Sequence, residues 1–484
     1  MISNRLQLLP FQFSRFDDDD YLLVNESGEY IFVSNKEFEK LMQGQLTKES
    51  PYYYDLKSRH FINTEHLAET IEMVSAKYRT RKKFILDFTS LHMMVITLRC
   101  TNKCEYCQVR AEGDDAKGFD MSPEVAHRVV DYIFKTPSPS IKIEFQGGEP
   151  TLNWKTLKET VLYAKKLNRK YRKHLSFVVC TNLVKVDNQQ LMFFKKHNIN
   201  ISTSLDGTRD IHDKNRVTIG GKATYDVVIR NMNKAFTILS HQGVSALMTT
   251  TIDNINRIQD VIMEYVNLGL DGIFIRPLNP YGLAAIKADH LGYSIEHFVK
   301  NFEKAIDFII QLNLNGTSFV EYYTSLLLAR ILTPFATGFV DLQSPSGAGI
   351  SGAIYDHNGD VFPADEARML SRMGDRRFLL GNVFKDSYEA IFGGDVLREI
   401  VRKSCIEIMP YCSYCVYRTY CGSDPVRNYL ETGDLIGKRP NDFCNKNKLI
   451  FNMLFKKLKQ NDQNEMDVFW SWITCRSLKE IRGN

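Results

Sequence analysis

No uninterrupted apolar run in this 484-residue sequence approaches the ~18 residues that a membrane-spanning helix needs, so no membrane association is expected. The opening residues 1–10 lack both the basic start and the long apolar core of a secretory signal, which points to the cytoplasm. Excess charge of one sign is also missing: 62 Lys and Arg stand against 57 Asp and Glu, a formal net charge of +5. The lysines are spread along the chain, and no nucleic-acid partner is implied. The one acidic run, at 17–20, reads as a solvated turn, and no metal is assigned to it. With 44% hydrophobic and 25% charged residues the composition is that of an ordinary globular protein, long enough for two to four domains. What the chain does have is cysteine. Ten are present, most of them clustered, and in a reducing compartment clustered cysteines read as metal ligands rather than disulfides.

Cys100, Cys104 and Cys107 stand at C-x3-C-x2-C spacing, directly after the apolar run 93–98. Soft thiolates suit zinc, copper(I) or an iron–sulfur cluster, and a closed zinc site normally has four protein ligands. Three cysteines on one loop would leave one iron of a cubane free to take a small molecule through an amine and a carboxylate.

From residue 92 to about 316 strand-like and helix-like segments alternate. The strands read near 92–98, 140–146, 175–182, 199–206, 245–252 and 272–278, with amphipathic helices such as 154–173 and 223–241 between them. Repeated βα units imply a parallel sheet, and six of them fit a partial (β/α)6 TIM-like barrel, in the α/β class, whose chemistry sits at the strand C-termini. The second strand runs into Gln146-Gly147-Gly148-Glu149-Pro150, where glycines permit close backbone approach and Glu149 can accept from an ammonium. The third strand ends Cys180-Thr181-Asn182, the fourth at Ser204-Leu205-Asp206, and the sixth at Arg276-Pro277-Leu278. Cys180 has no partner at ligand spacing and reads as a buried small hydrophobe.

Two flanking modules complete the chain. Runs 21–25 and 29–33, joined by Glu26-Ser27-Gly28, read as a hairpin followed by helices over 36–42 and 64–77. Near the other end 352–365 has strand–turn–strand character, and Cys412, Cys415, Cys421 and Cys444 could close around one centre, either zinc or a cluster. The expected division is 1–88 (N-terminal α+β module), 89–337 (barrel), 338–450 (cysteine-rich cluster module) and 451–484 (helical tail). Cys405 and Cys475 are unassigned.

The three-cysteine loop with Tyr106 before its last cysteine, together with Gly-Gly-Glu-Pro one βα unit later, resembles the radical S-adenosylmethionine (SAM) enzymes. The C-terminal cysteines resemble their SPASM/twitch extension. The stretches 9–13 with 28–32, 364–369 and 420–426 are similar to the His-Xaa-Ser system radical SAM maturases of HxsB type. The resemblance implies a SAM-binding [4Fe-4S] cluster on Cys100, Cys104 and Cys107, and one auxiliary [4Fe-4S] cluster on Cys412, Cys415, Cys421 and Cys444. It implies SAM contacts from Tyr106 and Leu278 (adenine), Gly147, Gly148 and Glu149 (amino group), Asn182, Ser204 (ribose or carboxylate) and Arg216 (carboxylate). Reductive cleavage of SAM would give a 5′-deoxyadenosyl radical that takes hydrogen from a precursor protein with His-Xaa-Ser repeats. The implied partners are that precursor, a second radical SAM protein, and an electron donor such as flavodoxin or ferredoxin; the N-terminal hairpin with its helices resembles domains that bind a precursor's leader as an added strand, its alternative being a plain structural cap. Ser346 and Ala364 stand where two-cluster relatives carry cysteine, so the first auxiliary cluster is expected to be missing. Asp365 is the candidate base in catalysis; its alternative is a structural ion pair with Arg368. Two other readings remain open, a sulfatase-maturing type oxidase of cysteine or serine and a non-catalytic peptide-binding protein with structural zinc.

Overall fold

A hairpin with Gly28 at its turn starts the chain's architecture. In this computed structural model, which describes residues 6–64 and 67–483, Gly28 takes φ +79° and a Cβ there would lie 2.2 Å from the Arg81 guanidinium. The turn joins β2 (Asp20–Asn25) to β3 (Tyr30–Ser34), and β1 (Phe11–Arg15) pairs antiparallel on the other side of β2. α1 (Asn35–Met42) and the helix Tyr53–Ser58 follow, with Leu23, Ile31, Val33, Phe38, Leu41 and Phe61 sharing one core. The second expected helix is α2 (Leu67–Arg81); residues 65–66 of the expected span lie outside the described residues.

The compact units do not follow consecutive segments. One contains residues 1–86, 326–347 and 401–463; the other contains 87–325, 348–400 and 464–484. The N-terminal module and the C-terminal cysteine segment belong to the first unit for a physical reason. Thr419 Oγ1 donates to Asn25 O at 3.1 Å and Tyr420 OH to Gly28 O at 3.0 Å, Arg418 pairs with Glu26, and Phe455 of α11 (Asp442–Gln460) packs edge-on against Tyr30. The 17–20 run is a turn, as expected, and its Asp17 and Asp20 carboxylates hold Lys459 at 2.5 and 2.6 Å.

The second unit is built on a nine-stranded sheet. Its strands are β4 (Leu91–Thr97), β5 (Ser140–Gly147), β6 (His174–Thr181), β7 (Ile199–Ser204), β8 (Val244–Thr249), β9 (Ile275–Arg276), β10 (Gly352–Tyr355), β11 (Asp360–Phe362) and β12 (Gly381–Asn382). They lie in the order β9-β8-β7-β6-β5-β4-β10-β11-β12, parallel from β9 to β10 and antiparallel beyond. Six sequential parallel strands are the half-barrel that the sequence pattern predicts. The alternation of residues decides its two faces. Ile141, Ile143, Phe145, Phe177, Val179 and Ile201 are buried on the helix side, where each contributes about 1.5–3 kcal/mol of burial. Glu144, Gln146, Cys180, Ser202 and Ser204 alternate with them on the opposite, more open face.

Local signals explain the helices that connect the strands. α3 (Pro123–Ile133) starts with Ser122 capping Val125 N at 3.2 Å and Pro at its first position. α4 (Trp154–Tyr171) and α6 (Tyr225–Leu239) fall inside the expected spans, and α5 (Asn188–His197) opens with the Asp187/Gln190 capping box. Two details differ from the sequence pattern. The sixth strand splits, because Gly272–Ile273 pairs with Val320–Glu321 while β9 pairs with β8. The hairpin expected at the start of the C-terminal module joins the main sheet instead, with β10 hydrogen-bonded beside β4. Among the described residues no helix is long and apolar enough to cross a membrane.

Candidate active site and auxiliary cysteine site

The chain leaves β4 at Leu98 and returns on itself before the next helix: Cys100 N donates to Glu112 O at 2.9 Å and Glu112 N to Leu98 O at 2.8 Å. Within this loop Asn102–Cys104 forms a short antiparallel pair with Arg216–Thr218, which sets Arg216 opposite Cys104. Cys107 is held from the other side. Leu283 N donates to Cys107 O at 2.9 Å, and Gly282, with φ +58°, lies so near that a Cβ would meet Gln108 O at 2.4 Å.

Asn182 joins this loop to the end of β6. Its Nδ2 donates to Cys100 Sγ (3.7 Å), Thr101 Oγ1 (3.2 Å) and Asn102 Oδ1 (3.2 Å), and its backbone N donates to Glu149 Oε2 at 2.7 Å. Glu149 is fully buried and also accepts from Thr151 N, Thr151 Oγ1 and Thr181 Oγ1. Burial pushes its carboxyl upward against these bonds. Three of the four donors fall on Oε1 and one on Oε2, so Glu149 ties loop to strand with this chain's own groups. The neighbouring glycines serve the same crossing. A Cβ at Gly147 would meet Thr97 O at 1.9 Å and one at Gly148 would meet Arg99 O at 2.3 Å, while Gly148 N and Glu149 N donate to those carbonyls. The close backbone approach here is to residues 97–99.

Tyr106 and Leu278, both expected near an adenine, pack in one cluster with Cys104, Ala284 and Leu291. Leu278 N donates to Tyr293 OH at 2.9 Å, and Ser204 stands at the C-terminal end of β7. Arg216 is held by a residue that the sequence reading did not select. Its Nε lies 3.1 Å from Oδ1 of fully buried Asp206, its guanidinium lies 5.2 Å from the Tyr106 ring centroid, and Nη1 is 4.0 Å from Cys104 Sγ. Tyr106 OH donates to the other Asp206 oxygen at 2.5 Å. The signal for Asp206 was a carboxylate before a glycine at a strand end; Gly282 carried only the weaker signal of a glycine after the sixth strand.

Asp365 begins α10 (Asp365–Arg372), and its Oδ1 accepts from Arg368 Nε and Nη2 at 3.1 and 3.0 Å. Arg368 is fully buried, its Nη1 has no hydrogen-bond partner among the described residues, and both Asp356 and the Cys107 thiol lie within electrostatic reach of it. Cys180 is not an inert filler: its thiol donates to Glu144 Oε1 at 3.3 Å and Asp365 acts on it electrostatically. Ala364 directly precedes α10.

In the other unit Cys412, Cys415, Cys421 and Cys444 line one pocket, walled by Tyr417, Phe443 and Phe451 and flanked by Arg439 and Lys448. Cys444 sits on the first turn of α11, whose cap Asn441 accepts from Cys444 N at 3.0 Å. Asn447, one turn on, donates to Cys421 Sγ at 3.4 Å. Ser346 N donates to Ser404 Oγ at 2.9 Å. Cys405 donates to Val401 O at 3.3 Å, and Cys475 is exposed.

Both cysteine sets suit an iron–sulfur cluster by the chemistry of their donors. All seven thiols are free of disulfides. Burial pushes Cys100 and Cys412 up to about 12 and Cys104 and Cys415 up to about 11, so thiolates at these places need a cationic centre to stabilise them. N–H groups of Asn102, Asn182 and Asn447 already point at the sulfurs of Cys100 and Cys421. Among the described residues no three His, Cys, Asp or Glu side chains converge closely enough to hold a single metal ion.

Residues 94–263 match the Radical SAM superfamily. The chain is 23% identical over 385 residues to a cysteine-type anaerobic sulfatase-maturating enzyme of Clostridium novyi (strain NT), covering 76% of this chain and 96% of that protein. Its fold is similar to that of anSMEcpe with bound AdoMet, with a TM-score of 0.66 and 19% identity over 80% of this chain and 98% of that one. It is also similar to Streptococcus suis SuiB bound to precursor peptide SuiA, with a TM-score of 0.54 and 14% identity over 91% of this chain and 99% of that one.

Proposed function

We propose, from the premise that this chain is a radical SAM enzyme, that it is a peptide-modifying maturase acting on a ribosomally made precursor of His-Xaa-Ser type. The observation that carries the reading is the Asn182 junction, where one side chain binds the cysteine loop and its backbone binds the Gly147–Glu149 loop. That junction supports a site in which cluster and SAM are held by one rigid hydrogen-bonded unit.

When bound, the cluster and SAM supply the one-electron cleavage that generates a carbon radical. The chain's residues supply place and polarity. Cys100, Cys104 and Cys107 are the ligands, and Tyr106 and Leu278 offer an apolar seat for an aromatic ring. Glu149 holds its loop mainly through Oε1 and keeps acceptor capacity on Oε2 for an amino group. Arg216 keeps a cation beside the thiolates and is itself neutralised by Asp206. Asp365 is the group to take a proton from an oxidised substrate centre, with Arg368 holding its carboxylate in place. Cys412, Cys415, Cys421 and Cys444 would hold an auxiliary [4Fe-4S] cluster, which would supply one-electron redox chemistry. Around the hairpin module, the edge strand β1 offers a place for a leader to add as a further strand.

A second reading, oxidation of a cysteine or serine in a sulfatase-type protein, is supported by the Clostridium relative and by the same Asp365. Anaerobic coexpression with the encoded precursor, followed by intact-mass and fragment analysis, tests both. A mass change on the precursor that disappears in Cys104→Ala supports the first reading. Modification of a sulfatase peptide with the precursor unchanged would replace it with the second.

A further inference from the structure

Where the hairpin module meets the four-cysteine segment, the first compact unit encloses a polar cavity that the proposed chemistry does not use. Its volume is about 30 Å3, room for about two water-sized groups, and every residue on its wall belongs to that unit. Two side chains on the wall are deeply buried and incompletely bonded. Gln343 is 1% exposed, and neither its Nε2 nor its Oε1 has a hydrogen-bond partner among the described residues. Oε1 is turned to Gly347, where a Cβ would lie 2.0 Å from it, which leaves the Nε2 donor for the cavity. Arg418 is 8% exposed; its terminal nitrogens bond Glu26 and Ser413 O, while its Nε–H has no acceptor among the described residues.

Charge is unbalanced at the same wall. Glu26 answers Arg418, and Glu407 holds Lys82 at 2.5 Å. Arg81, at the end of α2, has no ion pair among the described residues. Its guanidinium donates to carbonyls alone: Ser27 O at 2.6 Å, Arg330 O at 2.7 Å, Thr333 O at 3.1 Å and Gly28 O at 3.5 Å. Burial accordingly pushes its pKa down. A buried charge that meets only dipoles is costly. Water in the cavity satisfies the two free N–H groups but leaves Arg81 without a counter-charge, whereas a monovalent anion does both. A phosphate, with four oxygens, exceeds the room. We propose that this cavity binds one small monovalent anion of halide size, with Gln343 Nε2 and Arg418 Nε as donors and Arg81 as its counter-charge. The ion thereby ties α2 to the segment that carries Arg418 and Cys421, both of which line the cavity. The inference goes beyond the maturase reading and holds whichever metal the four cysteines carry.

The test uses the full chain, reconstituted anaerobically and transferred to sodium gluconate, whose anion is too large for the cavity. Chloride replaces gluconate stepwise at constant ionic strength while the unfolding temperature is followed. It is expected to rise by about 2–4 °C and to saturate, as binding to one site requires. Bromide should act alike, and its anomalous scattering in crystals should place it in this cavity. Gln343→Met keeps a side chain of similar length without the donor, so the chloride concentration at half-effect should rise about tenfold or more. Gln343→Glu brings its own negative charge and should be insensitive to chloride. An unfolding temperature of the wild type that does not respond to chloride would overturn the proposal, and so would an equal response in Gln343→Glu. Bromide in the cavity without any effect on unfolding would mean an adventitious ion only, which also counts against it. If neither Gln343 variant folds, the chloride titration and the bromide position in the wild type decide. None of these outcomes bears on the maturase reading, which the precursor's mass tests.

Discussion

Breaking the Asp206–Arg216 pair from one side should cost about 3–5 kcal/mol, because a guanidinium would be left buried beside Tyr106 without its counter-charge. Asp206→Asn is therefore expected to lower the unfolding midpoint in denaturant of the apo protein and, in the reconstituted protein, to weaken SAM binding by calorimetry. An unchanged midpoint would mean that solvent reaches Arg216. Gly282→Ala tests the loop in another way. A methyl 2.4 Å from Gln108 O, on a residue with φ +58°, must displace the segment that carries Cys107, so about half of the iron should be lost while the four-cysteine site stays loaded. Legibility at this scale divides along the same line. Cys100, Cys104 and Cys107 announce themselves by residue type and spacing, whereas Asp206 matters only through Tyr106, 100 residues earlier, and Arg216. A local window holds Asp206 together with Arg216 but not with Tyr106.

Element boundaries followed local signals where these were strong and tertiary pairing where they were not. The capping box of α5 and the alternation in β5 and β6 were readable; the split sixth strand was not, since it depends on Glu321. That carboxyl is fully buried, accepts from Ile275 N at 3.0 Å and Thr324 N at 2.6 Å, and is raised by burial from 4.5 to about 7. The folded state thus binds a proton that the unfolded state releases between these values. Its contribution to stability is full below about 4.5, falls as pH rises and levels off above about 7. Thermal melts of the apo protein from pH 5 to 8 should show this downward trend, and Glu321→Gln should flatten it. An equal slope in both proteins would mean that Glu321 is ionised throughout.

At the scale of the molecule, the N-terminal module and the auxiliary cysteines share one unit although more than 300 residues of chain separate them. Removal of residues 1–86 would strip Arg418, Thr419 and Tyr420 of Glu26, Asn25 and Gly28. Iron in the four-cysteine site should then fall, while the three-cysteine site keeps its own; retention of both would make the module a detachable appendage. Iron and sulfide analysis of the full chain tests the two-site count itself. About eight irons should fall to about four in Cys100→Ala/Cys104→Ala/Cys107→Ala, and zinc in the remaining site would make it structural.

Local sequence alone determined what needs only local physics: soft ligands at fixed spacing, the 2.0 and 3.6 periodicities that alternate strand and helix, the glycine turn at 28 and the Gly147–Gly148 crossing. Tertiary structure decided what depends on long-range burial and charge. It occupied Glu149 with four internal donors, gave Arg216 its buried counter-ion, placed β10 beside β4, and joined the N-terminal module and the four-cysteine segment in one unit. Each of these outcomes turns on which polar groups are taken out of water together, and that is a property of the folded chain rather than of any segment.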